Sequence, residues 1–464
     1  MKALFVIDEF LIEPLGIGYL SSCLKQAGHD TELLVVPESQ WENVAYWHRE
    51  LRSRGVDMAC FSVTTGRHLR FARVNAVIKK AQPDVFTLVG GPHCTFFPQY
   101  ISPINNVGDR EKGFDALCRG EGFDTIVEVA AAVEQRKPVD DIAGITTLRK
   151  SNPIRPMRDM DSVPFPDRSI LYHRDKNRNN LIRSVLASGY CQMHCTYCYA
   201  PFYRVLMGQG EGAKNRQMRN PYKVVYEILE LAVSSNYPTE LIYFQDDIFP
   251  IYSSDWLDSF CCAYADVRIP FHIQVRAEFI TEERILKLKS VGLHGITFAI
   301  ESGNPERRRK ILKRYGDNEM YMNVAKMLHK HNIRFRIENI LGTPGETLEE
   351  CFSTLDLNIQ CLPDIGWASL FQPYPGTELG NQLMASGEFD GNLDKLGEDF
   401  FHGYEAQAMP IQRLQSLFGI TVWKPWLRPL LPLLIQLPID YHPIYKRVKQ
   451  HLYSSRLYDV SYLK

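Results

Sequence analysis

The alternation of short apolar runs with helix-length segments constrains this chain most. KALFVIDEF (2–10) reads as a buried strand, PLGIGYLSSCLKQAGHD (14–30) as a helix ending near Gly28, and TELLVV (31–36) as a second strand. DMACFSVTT (57–65), a helix through RHLRFARVNAVIKKAQ (67–82) and the strand VFTLVGG (85–91) continue the pattern. Strands spaced by helices cannot pair as hairpins, so they must form parallel β-α-β units with helices on the sheet faces. A Rossmann-like, doubly wound domain is therefore expected over residues 1–140.

The stretch 141–180 contains GITTLRKSNPIRPMRDMDSVPFPDR, several prolines and no long helical period, and reads as a linker. The alternation then resumes. NLIRSVLAS, ELIYFQDD, FHIQVRA, GITFAI, RFRIENILG and IGWASLFQ are strand candidates, each separated from the next by a helix-length segment. Six such units over 181–380 predict a partial TIM-like barrel, since eight make the closed form. A length of 464 residues accommodates these domains and a small, mostly helical C-terminal region over 381–464.

That last region includes TVWKPWLRPLLPLLIQLPIDYHPIYKRVKQ (421–450). Pro425, Pro429, Pro432 and Pro438 interrupt it, whereas a membrane-spanning helix wants about twenty unbroken apolar residues. Two readings stand: a proline-rich cap packed on the barrel, or an amphipathic surface touching membrane beside Lys446, Arg447 and Lys449. The apolar Trp423, Trp426 and 430–437 also point toward a hydrophobic or lipid-like substrate.

Lys and Arg number 53 against 54 Asp and Glu, so the basic excess of a nucleic-acid binder is absent. Acidic Asp8 and Glu9 follow the first apolar run too soon for a signal peptide, and a cytoplasmic protein is expected. Eleven cysteines, mostly scattered, do not form a disulfide framework; in a reducing compartment, clustered ones point to metal or catalysis.

One cluster stands out. SGYCQMHCTYCYA (188–200) places Cys191, Cys195 and Cys198 in a C-x3-C-x2-C array directly after a predicted strand. Structural zinc sites close with four ligands, and no fourth cysteine lies near. Three soft thiolates in one loop suit an iron-sulfur cluster with one open position.

The spacing, Tyr197 before the last cysteine and the place after the first barrel strand resemble the radical S-adenosylmethionine (SAM) enzymes. That resemblance implies a 4Fe-4S cluster held by Cys191, Cys195 and Cys198, whose open iron chelates SAM and whose electron cleaves it to a 5'-deoxyadenosyl radical. Other pieces fall at matching strand ends, where barrel sites gather. FQDDIF puts Asp246 and Asp247 where the family contacts the SAM amino group, although a helix cap explains one such Asp equally. QVRAE carries Arg276, and FAIESGNPE carries Glu301 and Ser302, which the resemblance sets against SAM ribose or its methionine portion. NILGTPGET offers Gly342 for close approach of adenine, beside the plain turn chemistry of T-P-G. FQPYPGTEL ends the sixth strand. Tyr199, Arg204 and Tyr374 are candidates to surround a substrate, or to pack the loop.

In the first domain, PLGIGYLSSCLKQAGHD, SVTT, VGGPHCTFFP and RGEG resemble the cobalamin-binding domain fused to such barrels. The resemblance implies that Thr64, Thr65, Gly90, Gly91 and Glu121 meet a corrin or its nucleotide tail, in the crevice of a doubly wound sheet. The D-x-H-x-x-G signature that donates a histidine to cobalt is absent; His29 and His93 do not fit it and read as hydrogen-bonded loop residues. No G-x-G-x-x-G opens the first helix, which removes the dinucleotide reading. Cys23, Cys60, Cys94 and Cys118 lie on separate elements, unlike the extra cluster cysteines of methylthiotransferases.

The family therefore implies a cobalamin-dependent radical SAM methyltransferase acting on an unactivated carbon of a small-molecule or natural-product substrate, with a reductant such as flavodoxin or ferredoxin and no nucleic acid. A cyclase or rearrangement enzyme with the same cofactors is the alternative. A non-catalytic corrinoid or cluster sensor is the rival from another class.

Overall fold

A computed structural model describes residues 1–8, 10, 13–101, 113–172, 180–208, 218–234, 238–398, 409–452 and 457–458. The chain divides into two compact units, one formed by Met1–Asn180 with a stretch beginning at Tyr203, the other by Leu181–Phe202 and the chain beyond that stretch.

The first unit is built on β1 (Lys2–Ile7), β2 (Asp30–Val35), β3 (Met58–Ser62), β4 (Phe86–Gly90), β5 (Ala116–Cys118) and the short β6 (Ile145–Thr146). Their order is β2-β1-β3-β4-β5-β6, parallel except for β6. Central β1 is covered on both faces, and Ala3, Leu4 and Val6 are fully buried, which is why it reads as a continuous apolar run. The chain steps from β1 outward to β2, then returns across β1 to β3. That reversal creates a switch point beyond the carboxyl ends of β1 and β3. The first helix, Leu15–Gln26, stops where expected, with Gly28 at φ +84°.

The stretch read as a linker is packed onto this unit. The Ser21 hydroxyl donates to Asp167 (2.6 Å), Lys25 pairs with Asp167 (2.7 Å), and the Ser22 hydroxyl donates to the Phe165 carbonyl (2.6 Å). Prolines there break helical period without loosening the chain.

The second unit holds β7 (Ile182–Val185), β8 (Leu241–Phe244), β9 (Phe271–Gln274), β10 (Leu293–Glu301), β11 (Arg334–Leu341) and β12 (Ile365–Leu370). All pair in parallel in sequence order, with β7 and β12 as the edges. Along β11, Phe335, Ile337, Asn339 and Leu341 are buried while Arg334, Arg336, Glu338 and Ile340 are partly open, the alternation expected of a sheet with two unlike faces.

Edge strand β12 is covered by the helix Met409–Trp423. A Cβ on Gly366 would lie 2.8 Å from Val422, and one on Gly419 would lie 2.8 Å from the Gly366 carbonyl, so two glycines admit this close approach. The Gln415 amide donates to the Ala368 carbonyl (2.8 Å), and Leu414, Leu417, Phe418, Leu431 and Ile435 join Leu341, Leu355 and Leu370 in one core. The cap reading of this region thus describes its inner face. Among the described residues no helix is long and apolar enough to cross a membrane.

Candidate active site

The three-cysteine loop leaves the carboxyl end of β7, and its first residues are fixed by the strand beside it. Both Asp246 carboxylate oxygens accept the Ala187 N–H at 3.0 Å, and Oδ1 also accepts the Ser188 hydroxyl at 2.5 Å. The next residue faces the other way: Asp247 Oδ2 accepts the Cys191 N–H at 3.2 Å. Burial pushes the Asp246 carboxyl up to about 7, against the hydrogen bonds from Ser188 and Ala187, whereas Asp247 is exposed.

Within the loop the Cys198 N–H donates to the Cys195 carbonyl (3.2 Å). Thr196 sews it down, donating its hydroxyl to the Ile311 carbonyl (2.6 Å) and accepting the Leu379 N–H at its own carbonyl (3.0 Å). Backbone N–H groups aim at two of the sulfurs, Met193 at Cys191 Sγ (3.4 Å) and Ala200 at Cys198 Sγ (3.5 Å). The Arg276 guanidinium aims at the third, Cys195 Sγ (3.5 Å). These donors favour the thiolate form, against burial that pushes the Cys191 thiol up to about 11 and the Cys198 thiol up to about 12. Among the described residues no three His, Cys, Asp or Glu side chains converge as on a single metal ion. Three thiolates from one loop suit a cluster, which takes each on a different iron.

Beside the loop stands a buried polar network. The Tyr197 hydroxyl donates to Glu301 Oε1 (2.6 Å), and Arg314 donates to Tyr197 (3.1 Å), Glu301 (3.1 Å) and the Ala299 carbonyl (2.8 Å). Glu301 sits at a register shift in β10 with φ +68°, a conformation unusual for a residue with a Cβ. Burial raises its carboxyl although Arg314 opposes the shift. Ser302 is fully buried and its carbonyl accepts from Arg308. Gly342 closes β11 at φ +75°. The following T-P-G-E-T is a turn and helix start, with Thr347 and Glu350 forming a capping box. Tyr374 packs with Leu312, Phe371 and Leu379 on the cluster that Tyr197 also touches, whereas Tyr199 is exposed. Arg204 lies partly buried on the helix Ala200–Leu206.

Sequence reasoning missed Arg307, Arg308 and Arg314. In ERRRKILKR they look like a solvated basic face, yet Arg308 is fully buried and Arg314 is 5% exposed, while Arg309 is open. Arg307 ties the turn after β11 to the helix Pro305–Lys310 through Pro344, Gly345 and Glu350.

In the first unit, Gly90, Gly91 and Glu121 line one cavity of 210 Å³ at the carboxyl ends of β1, β3, β4 and β5, together with Phe5, Leu20, Cys60, Leu88, Cys118 and Phe123. Its walls are mainly apolar. Gly91 is required by the chain itself: at φ +94° its Cβ would lie 2.6 Å from the Val63 nitrogen. At Gly90 a Cβ would make ordinary contact with Cys118 at 3.6 Å. Burial pushes the Glu121 carboxyl up to about 7, against the Arg158 N–H it accepts at 2.8 Å. Thr64 and Thr65 stand outside the cavity lining, Thr64 exposed and Thr65 bonded to His93 Nδ1 (3.0 Å). His93 is 1% exposed and stacked on His68 (4.5 Å), and burial holds its imidazole down at about 3. His29 is buried with Nδ1 3.4 Å from the N-terminal amine.

Comparison with known proteins agrees with both units. Residues 185–357 match the radical SAM superfamily and residues 2–130 match the B12 binding domain. The chain is 24% identical to the uncharacterized methyltransferase PH0819 of Pyrococcus horikoshii, over 80% of this chain and 79% of that one. It is 25% identical to hopanoid C-3 methylase of Methylococcus capsulatus, over 79% of this chain and 68% of that one. Among solved structures, the radical SAM methyltransferase TsrM of Kitasatospora setae superposes with a TM-score of 0.64 at 17% identity, over 83% of this chain and 76% of that one. The two matched domains make this a radical SAM enzyme. More narrowly, the chain belongs to the members with an N-terminal B12 binding domain, whose cofactors are a 4Fe-4S cluster, SAM and cobalamin.

Proposed function

We propose that the protein is a cobalamin-dependent radical SAM methyltransferase that methylates an unactivated carbon of a small-molecule or natural-product substrate. The observation that carries this reading is the loop of Cys191, Cys195 and Cys198, with an N–H or guanidinium donor aimed at each sulfur. When bound, the cluster and SAM supply the radical and cobalamin supplies the methyl group.

The chain's own residues bind and orient. Cys191, Cys195 and Cys198 hold the cluster. Asp247, Arg276, Glu301, Ser302 and Gly342 face SAM at successive strand ends, with Tyr197 fixing Glu301 and Asp246 fixing the loop. Charge-assisted donors and acceptors at such positions suit the amino and carboxylate ends of an amino acid. Gly90, Gly91 and Glu121 wall the cavity for the corrin's nucleotide tail, with Thr64 and Thr65 at its approach. The partners we infer are the substrate, a flavodoxin- or ferredoxin-like reductant, and a membrane surface met by the C-terminal region.

Anaerobically reconstituted protein given cobalamin, SAM and dithionite tests the reading. It is expected to show a 4Fe-4S resonance signal perturbed by SAM, a bound corrin spectrum and 5'-deoxyadenosine. With substrate, methylated product and S-adenosylhomocysteine appear together. Deoxyadenosine with a product that has lost hydrogens or kept its mass overturns methyl transfer in favour of cyclisation or rearrangement. Cofactor binding without SAM cleavage means a sensor.

A further inference from the structure

The C-terminal region carries a surface that the proposed chemistry does not use. Residues 409–452 hold six basic side chains, Arg413, Lys424, Arg428, Lys446, Arg447 and Lys449, and the single acid Asp440, in a chain with an acidic excess elsewhere; of the six, Arg428 is paired with Asp356. Leu431 and Ile435 turn inward and are fully buried. Outward, Trp426 is 68% exposed and Leu433 67%, with Leu430, Ile439 and Ile444 also open. Lys446 and Arg447 are exposed on the helix His442–Leu452, and no acid pairs with either among the described residues.

A tryptophan and four large aliphatic side chains facing water, in a region that also exposes Lys446 and Arg447, mark an interaction surface. Four facts select a bilayer. Tryptophan favours the membrane interface, where its amphipathic ring spans the polarity step. Pro425, Pro429, Pro432 and Pro438 have no N–H to strip of water, so this irregular stretch enters a low-dielectric layer without orphaned donors at those positions. The surplus of bases complements anionic headgroups. A second copy of the chain would set the same bases against one another.

We infer that this surface docks the protein peripherally on an anionic lipid bilayer, Trp426, Leu430 and Leu433 entering the headgroup boundary and Lys446 and Arg447 meeting lipid phosphates. The inference rests on the membrane contact named above and adds the lipid charge and the side chains that read it. It does not depend on the cluster or the corrin.

Flotation of the full-length protein with vesicles of phosphatidylcholine alone, and of phosphatidylcholine mixed with phosphatidylglycerol, tests it at low and high salt. Binding to the mixed vesicles that weakens with salt is expected. Lys446→Gln with Arg447→Gln should lower partitioning about twenty-five-fold, at roughly fivefold per cation. Trp426→Ser with Leu433→Ser should abolish it. These side chains are exposed, so unchanged thermal melts and iron content identify the variants as folded and separate this outcome from any failure of the cofactor assignment. Binding to neither vesicle at low salt overturns membrane contact altogether. Equal binding to both, unmoved by the Lys446 and Arg447 changes, overturns the anionic preference. A concentration-dependent dimer that Trp426→Ser dissolves gives the face to a second copy instead.

Discussion

Replacing Glu227 by glutamine removes one charge from the pair that anchors the end of β7. Arg219 Nη1 lies 2.7 Å from Glu227 Oε2 and 2.7 Å from the Leu186 carbonyl, while the Arg219 N–H donates to the Ala187 carbonyl at 2.9 Å. The Trp256 indole completes the junction by donating to the Arg219 carbonyl (2.7 Å). The two ionic side chains are 2% and 3% exposed, so neither is rehydrated when its partner is lost.

Breaking such a pair from one side costs about 3–5 kcal/mol, because a charge stays buried without its counterion. An amide keeps a neutral acceptor near Arg219, which places Glu227→Gln near the low end, about 3 kcal/mol. Arg219→Met with Glu227→Met removes both charges and loses the bond to Leu186, about 1 kcal/mol, so the double variant should be the more stable of the two. Urea unfolding measures both differences. Iron bound per chain gives a second reading, since Leu186 and Ala187 lead directly into the cysteine loop. A single variant within about 1 kcal/mol of the parent, or a double variant no more stable than the single, would falsify charge compensation as the reason for this pair.

Two further outcomes follow from the site and the first unit. Alanine at Cys191, Cys195 or Cys198 should each abolish stable 4Fe-4S signal and deoxyadenosine formation while leaving circular dichroism unchanged; one variant that retains a SAM-perturbed cluster removes that cysteine from the ligand set. His93 titrates far below the ordinary histidine range because of burial first and His68 second. A base lowered in the folded state contributes stability that is fully present above about pH 6.5 and is lost as pH falls toward 3. The loss is about 2 kcal/mol by pH 5 at about 1.4 kcal/mol per unit. Urea midpoints of the parent should fall across that window, and those of His93→Gln should fall less; parallel curves refute the assignment.

Ten of the twelve strands were legible because each β-α unit repeats the same punctuation. Apolar runs buried on both faces, such as LFVI in β1 and LIYF in β8, carry no competing period. β5 and β6 escaped, because three residues, and two that pair antiparallel with them, are too short to make a pattern. The three cysteines were legible from spacing alone. Their supports were not. Arg276 reaching Cys195 and Arg314 reaching Tyr197 span 81 and 117 residues, and nothing local distinguishes a buried arginine from a solvated one. The contacts of the stretch 141–180 were hidden for a related reason. Proline density reports the absence of helix, whereas Asp167 and Phe165 are held by Ser21 and Ser22 through contacts 146 and 143 residues apart.

Adjacent Asp246 and Asp247 looked equivalent in the sequence, and the structure separates them. Side chains of consecutive residues in extended chain point to opposite sides, so Asp246 turns toward Ala187 and Ser188 and Asp247 toward the Cys191 N–H. Asp246 is 1% exposed, and Asp246→Ala would leave a buried N–H and a buried hydroxyl without this acceptor, at about 1–3 kcal/mol for each. Asp247→Ala frees one N–H in a loop at the open end of β7, where water replaces the acceptor, and should cost about 1 kcal/mol or less. The pair then divides by readout: Asp246→Ala lowers urea stability and iron content together, whereas Asp247→Ala keeps both and weakens SAM binding, measured as the SAM concentration that half-perturbs the cluster signal. Equal losses of stability in the two variants would show that both acids serve the loop and that neither is reserved for SAM.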